Sequence, residues 1–346
     1  MIRISLKRNF LGRNVFKSNP VLLARLYSGT RYRRFNGNQD KTFKDYLYDA
    51  SSRKYLAILL GGGSLFYISN LDEAPVSGRT RFIWLPRPIE TLVGDYSYKS
   101  ILGQTGNSIL PESHSVTQRV ARVFERIVDA AYKDPSVDKT MLEGVNWKIH
   151  VVNDPSAPPN AFVLPGGKVF VFVSMLGICQ NDDGLATVLS HEFAHQLARH
   201  TSENLSKAPF CVMLSAFMYT LTGANAFNGL LLDGFLRMPA SRQMETEADY
   251  IGLMIMSRAC FNPDESVRLW RRMEEFEKQQ ARGASNFEFL STHPASERRI
   301  ENMTKWLGKA REIYEQSDCS MYNSYYQGLK NSVFGFADPQ FTLSRI

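Results

Sequence analysis

The clearest helical pattern covers residues 115–132, where Val116, Val120, Val123, Ile127 and Val128 recur every few positions with Arg and Glu between them. That spacing predicts an amphipathic helix. Trp147–Val152 alternates apolar and polar as a strand does. Residues 160–173 form two apolar runs joined through Pro165-Gly166-Gly167. A Pro-Gly pair suits a type II turn, which needs φ > 0 at its third residue, so this stretch predicts a hairpin. From Asp183 to Ser202 the period becomes helical, with Asp182 or Asp183 as N-cap. Helices are also expected over 240–259, 264–282 and 294–316, with Pro263 and Pro294 in the first turns of the last two. The fold class expected is α+β, mostly helical, with a small sheet.

Two longer uncharged stretches break this pattern. Tyr55–Leu71 has 17 residues without a charge, between Arg53-Lys54 and Asp72-Glu73. As a helix it reaches about 26 Å, the short edge of what a thin bilayer requires. It reads as a buried core helix or as a single transmembrane anchor, and the flanking charges favour the anchor, with Lys54 on the inner side. Ala208–Leu232 is 25 uncharged residues interrupted by Pro209, Gly223 and Gly229. Two crossings need about 40 residues, and a single crossing would leave His195 and Glu245 on opposite sides of the membrane, so this stretch is expected to lie on the membrane, dip into it or cover a cleft.

Charge changes the picture at the N-terminus only. The chain of 346 residues carries +7 formally, but residues 1–39 hold nine basic residues and no acid. The remainder is about neutral, so a nucleic-acid partner is not expected. An acid-free, Arg-containing leader has the composition of a mitochondrial transit peptide, with a cleavage point after Tyr27; a basic arm binding phosphate or lipid is the rival reading. Cys179, Cys211, Cys260 and Cys319 form no Cys-x-x-Cys pair, which excludes a cysteine zinc knuckle. They read as small core residues.

His191-Glu192-Phe193-Ala194-His195 is the motif that carries chemistry. Positions i and i+4 share a helical face, so both imidazoles can reach one metal ion, while Glu192 can act as general base on a water. A catalytic zinc needs a third protein ligand. His200 is five residues past His195 and, on a continuous helix, points about 140° away. It reads as a helix-end histidine. Glu245 and Asp249 share a helical face, as metal ligand and hydrogen-bond partner of a ligand histidine or as an ordinary solvated face. Glu247 is rotated away and is expected in solvent.

His191–His195 followed by Glu245-Thr246-Glu247-Ala248-Asp249 resembles the HtpX and CAAX-prenyl-protease superfamily of integral-membrane zinc metallopeptidases. Asn160-Ala161-Phe162 with Pro165-Gly166-Gly167, and Thr292-His293-Pro294 with Arg299-Ile300, resemble two further segments of that family. The resemblance spans roughly residues 115–315. It implies a zincin-like domain with a hairpin beside the metal helix. It also implies one Zn²⁺ per chain on His191, His195 and Glu245, with Glu192 as base and Asp249 behind a ligand. His293 is either a packing residue at a helix start or a group entering the cleft. Arg242 is either a carboxylate partner or a substrate contact. Asn160, Ala161 and Phe162 are candidates for holding an extended substrate by β-augmentation.

The organisation expected is a transit peptide and basic arm over 1–39, a matrix-side segment over 40–54, an anchor over 55–71 and a connector over 72–114. A metallopeptidase domain over 115–316 and a tail over 317–346 complete it. The function expected is ATP-independent proteolysis of misfolded, misassembled or stress-exposed proteins at the mitochondrial inner membrane, the domain facing the intermembrane space. No Walker-type phosphate loop occurs to supply ATP-driven unfolding. Membrane-protein substrates and inner-membrane lipid are the partners expected; other quality-control proteases of that membrane and further copies of the chain remain open. The rival class is a membrane-anchored, zinc-stabilised scaffold or holdase.

Overall fold

The computed structural model describes residues 49–74, 77–209, 242–280, 293, 296–317 and 319. The leader, nearly all of 208–232, Cys211, Pro294 and most of the tail lie outside the described residues. The expected anchor is a helix, α1 (Ala50–Ser69), none of whose residues is buried. It begins before Arg53-Lys54 and ends at Ser69, and three consecutive glycines dilute its apolar run. No helix among the described residues is long and apolar enough to cross a membrane, which departs from the expectation for 55–71. The chain divides into two units, Met1–Ser64 and Leu65–Ile346, and everything that follows belongs to the second.

That unit opens with an antiparallel ribbon, β1 (Leu71–Glu73) with β2 (Thr80–Phe82), followed by α2 (Arg87–Thr105). Helix α3 (Ser115–Lys133) buries Val120, Val123, Phe124, Ile127 and Ala131, the stripe its three- and four-residue spacing predicts. Strands β3 (Lys148–Val152), β4 (Ala161–Leu164) and β5 (Lys168–Phe172) make a sheet of order β3-β5-β4. β5 runs parallel to β3 and antiparallel to β4. The β4–β5 turn has Pro165 second, Gly166 third at φ 87°, and Gly167 N donating to Leu164 O at 3.0 Å. Those are type II features, and only glycine takes that φ at little cost.

A short helix, α4 (Val173–Cys179), leads into α5 (Asp182–Leu197), which carries the histidine motif. Its N-cap is Asn181, whose side chain accepts from Gly184 N at 2.8 Å, rather than Asp182 or Asp183. Most of α5 is buried because α3, β4 and α6 (Arg242–Arg258) pack around it. Phe124, Trp147 and Phe193 form an aromatic cluster with centroids 5.2–5.8 Å apart, fixing α5 against α3 and the strand region. A Cβ on Gly252 would lie 3.0 Å from the backbone of Ser190 and His191, so glycine lets α6 approach the motif closely. Helices α7 (Asp264–Gln280) and α8 (Glu297–Gln316) close the domain.

Two corrections concern local structure. The helix expected to reach Ser202 stops at Leu197; Arg199 adopts φ 54°, and residues 200–209 form a new helical stretch. Cys260 and Cys319 are not independent core residues but a disulfide, joining the end of α6 to the residues after α8. Their separation of 59 residues gave no local signal for pairing. Cys179 is buried, as expected of a small core residue, and desolvation pushes its thiol up to about 12.

Candidate metal centre

One helical turn separates His191 from His195, and their Nε2 atoms lie 3.1 Å apart. Glu245, in the first turn of α6, brings Oε1 to 3.4 Å from His195 Nε2 and Oε2 to 3.5 Å from His191 Nε2. His293 completes the group, with Nδ1 2.9 Å from Glu245 Oε1 and 3.4 Å from His191 Nε2. One ligand atom from each of these four residues lies within 4.8 Å of the others. Imidazole nitrogens converge here on a carboxylate, a donor set that suits a borderline-soft divalent cation such as zinc.

Glu192 is 4% exposed, and its Oε1 accepts no hydrogen bond; His293 Nε2 lies 3.5 Å from it. Burial pushes the Glu192 carboxyl above the ordinary range. A buried carboxylate oxygen without a donor, beside four convergent ligand groups, fits a metal with water between ion and base. Burial lowers His195 well below the usual imidazole value. Burial acts the same way on His191, yet hydrogen bonds to Asp249 and Glu245 outweigh it and raise His191 to about 9. Glu245 is held far below the carboxylate range: desolvation opposes this, but the charge of His293 and the close approach of all three histidines prevail.

Behind His191, Asp249 Oδ1 lies 3.0 Å from Nδ1. Arg299 holds Asp249 through Nη2 at 2.7 Å and Nε at 2.8 Å, and its Nη1 lies 3.0 Å from Glu245 Oε2. Its guanidinium carbon sits 3.6 Å over the Trp270 ring. The sequence marks Arg299 only as part of a C-terminal segment, yet the structure places it in the site. The available signal was its place in the first turn of α8, where the helix dipole disfavours a cation. Arg242, the basic candidate named instead, is exposed at the start of α6, and Thr246 Oγ1 bonds its carbonyl at 2.8 Å.

Behind His195, two expectations are overturned. His200 does not point away: Nδ1 is 2.9 Å from His195 Nδ1. The left-handed Arg199 invalidates counting 100° per residue through that position. It stands behind a ligand, however, outside the four-residue group. Glu247 is not in solvent but 6% exposed, because the β1–β2 ribbon covers that face of α6. Its Oε2 accepts from His200 Nε2 at 3.0 Å, and its Oε1 from Ser77 Oγ and Arg79 Nε, both at 2.7 Å. These bonds outweigh desolvation and lower Glu247 to about 2.

Asn160 is buried just before β4 and its carbonyl accepts from Phe172 N at 2.9 Å. Ala161 is buried, and Phe162 stacks on Phe170 at 5.2 Å. β4 is an edge strand of its sheet and packs on α5, the metal helix.

The sequence profile of Peptidase family M48 matches residues 115–307. The chain belongs to peptidase family M48. The mitochondrial metalloendopeptidase OMA1 of Saccharomyces cerevisiae is 65% identical over 314 residues, covering 89% of this chain and 91% of that protein. The protein of that name from Schizosaccharomyces pombe is 40% identical over 282 residues, 81% and 79% of the two chains. The human metalloendopeptidase OMA1 is 27% identical over 266 residues, 74% of this chain and 49% of its own length. An M48 member is a metalloprotease, which disfavours the scaffold reading.

Proposed function

We propose that this M48 protease is a zinc metalloendopeptidase of the mitochondrial inner membrane that cleaves misfolded, misassembled or stress-exposed membrane proteins without ATP. The observation that carries the chemistry is the buried, undonated Glu192 Oε1 beside the convergent His191, His195, Glu245 and His293. Zinc held by His191, His195 and Glu245 would supply a Lewis acid for the scissile carbonyl and would lower the pKa of a water toward neutrality. Glu192 takes the proton of the attacking water and returns it to the leaving amine, a task its raised pKa suits. The outer edge of β4, from Ala161 to Leu164, holds the substrate backbone in extended form, which reads little of its side chains. His293, within reach of both Glu245 and Glu192, would be a further group able to hold the metal beside His191, His195 and Glu245.

The mitochondrial assignment rests on the acid-free leader and on the names of the relatives at 65% and 40% identity. The exposed apolar residues of α1, such as Leu59, Leu60, Leu65 and Ile68, are the contact with lipid. Arg53-Lys54 before it and Asp72-Glu73 after it favour a single pass with the protease domain in the intermembrane space.

The test is proteolysis of an unstructured, membrane-tethered reporter without ATP, beside Glu192→Gln, with zinc quantified in both. Cleavage should fall by about 10²–10⁴ in Glu192→Gln with zinc retained. Equal cleavage by both proteins would remove Glu192 from the reaction, and absence of zinc from the parent would remove the metal.

A further inference from the structure

The M48 motif presents two histidines, but a ligand histidine works only in one tautomer. Its metal-facing nitrogen must keep the lone pair, so the other nitrogen must carry the proton and find an acceptor. His191 finds a carboxylate, Asp249, at 3.0 Å. His195 finds another imidazole, His200 Nδ1, at 2.9 Å. An imidazole accepts at one nitrogen only if its own proton sits on the other, so the tautomer of His195 depends on what lies beyond His200.

Glu247 lies there. Its Oε2 is 3.0 Å from His200 Nε2, and an ionised carboxylate can only accept. That bond puts the His200 proton on Nε2, leaves Nδ1 as acceptor, draws the His195 proton to Nδ1 and turns the His195 Nε2 lone pair toward Glu245 and His191. The carboxylate is itself held in orientation. Arg79 donates Nε to Oε1 at 2.7 Å and Nη2 to Oε2 at 3.1 Å, and Ser77 Oγ adds 2.7 Å to Oε1. The far side of the same guanidinium engages Glu203 at 2.7 and 2.9 Å. His200, Glu203 and Glu247 are all buried, so water does not compete for these bonds.

We propose that His200 and Glu247, held by Arg79 of the β1–β2 ribbon, are positioning residues that set the tautomer of the metal ligand His195. The ribbon therefore forms part of the metal centre, though none of its described residues belongs to the four-residue group. This rests on the reading that His191, His195 and Glu245 hold zinc.

Glu247→Gln tests it with nearly unchanged shape. Arg79 Nε and Ser77 Oγ, the two short donors to Oε1, favour the amide oxygen at that position, which puts the NH₂ group opposite His200 Nε2 and reverses the proton order along the chain. The control is Glu203→Gln, which weakens the other half of the Arg79 contact without touching His200. In the full-length protein, zinc affinity measured by chelator competition should fall roughly tenfold to a hundredfold in Glu247→Gln and stay unchanged in Glu203→Gln. Histidine ¹⁵N spectra of the metal-free parent should show His195 protonated at Nδ1 and His200 at Nε2, and Glu247→Gln should reverse both. Unchanged zinc affinity in Glu247→Gln, an equal loss in Glu203→Gln, or parent spectra with His195 protonated at Nε2 would each overturn the proposal. A parent that binds no zinc would instead sink the metallopeptidase reading, and the metal-free spectra would still decide the tautomer.

Discussion

The two motif histidines are equivalent in the sequence and unlike in their support. Behind His191 a carboxylate, Asp249, stands in direct contact, backed by Arg299, itself laid over Trp270. Behind His195 the carboxylate is one residue further out: His200 comes first, then Glu247, then Arg79. Both acids sit in the Glu245–Asp249 segment of α6, and the His191 side adds only helix-borne residues, Arg299 of α8 and Trp270 of α7. The His195 side needs a helix break and a strand ribbon from more than a hundred residues earlier. The difference teaches that a helix-borne metal motif specifies where two ligands point, not how their protons are arranged. That arrangement is supplied by whatever packs behind each ring.

The largest effects should ignore the asymmetry. His191→Ala and His195→Ala should both lose stoichiometric zinc and all measurable proteolysis, since each removes a ligand outright; zinc retained in either one would break the premise of two equivalent ligands. Asp249→Asn comes next. It leaves the buried Arg299 short of a counter-charge, and should cost about 3 kcal/mol in denaturant unfolding besides weakening zinc binding. Arg79→Met should cost less, about 1–2 kcal/mol, because Lys207, Ser77 and His200 still donate to Glu203 and Glu247. A larger loss for Arg79→Met than for Asp249→Asn would reverse the ranking of the two sides.

Acid sharpens the same contrast. The carboxyl of Glu247 sits at about 2 in the folded chain against an ordinary 4.5. Because the folded value is the lower one, its pairing contributes fully above pH 4.5 and is lost as pH falls toward 2. The stability difference between the parent and Glu247→Gln should therefore be flat above that window and shrink through it; a difference that grows on acidification would contradict the pairing. Arg242→Ala marks the small end. An exposed side chain at the start of α6 should change stability by no more than about 0.5 kcal/mol, measured by thermal unfolding.

Periodicity and turn chemistry determined much of this protein by themselves. The α3 stripe, the β4–β5 hairpin with glycine at φ 87°, and the helices carrying His191, His195 and Glu245 follow from spacing and local backbone preference. The family was legible too, since its motifs are short and contiguous. Tertiary structure alone decided the rest. It placed His293 against Glu245 across 48 residues of sequence, and paired Cys260 with Cys319 across 59. It brought His200 back to His195 through one left-handed residue, Arg199, which no helical count anticipates. It buried Glu247 under a ribbon whose Arg79 lies 168 positions away. Each of these turns on a contact between distant segments, and hydrophobic pattern records only which face of a segment is covered, never by what.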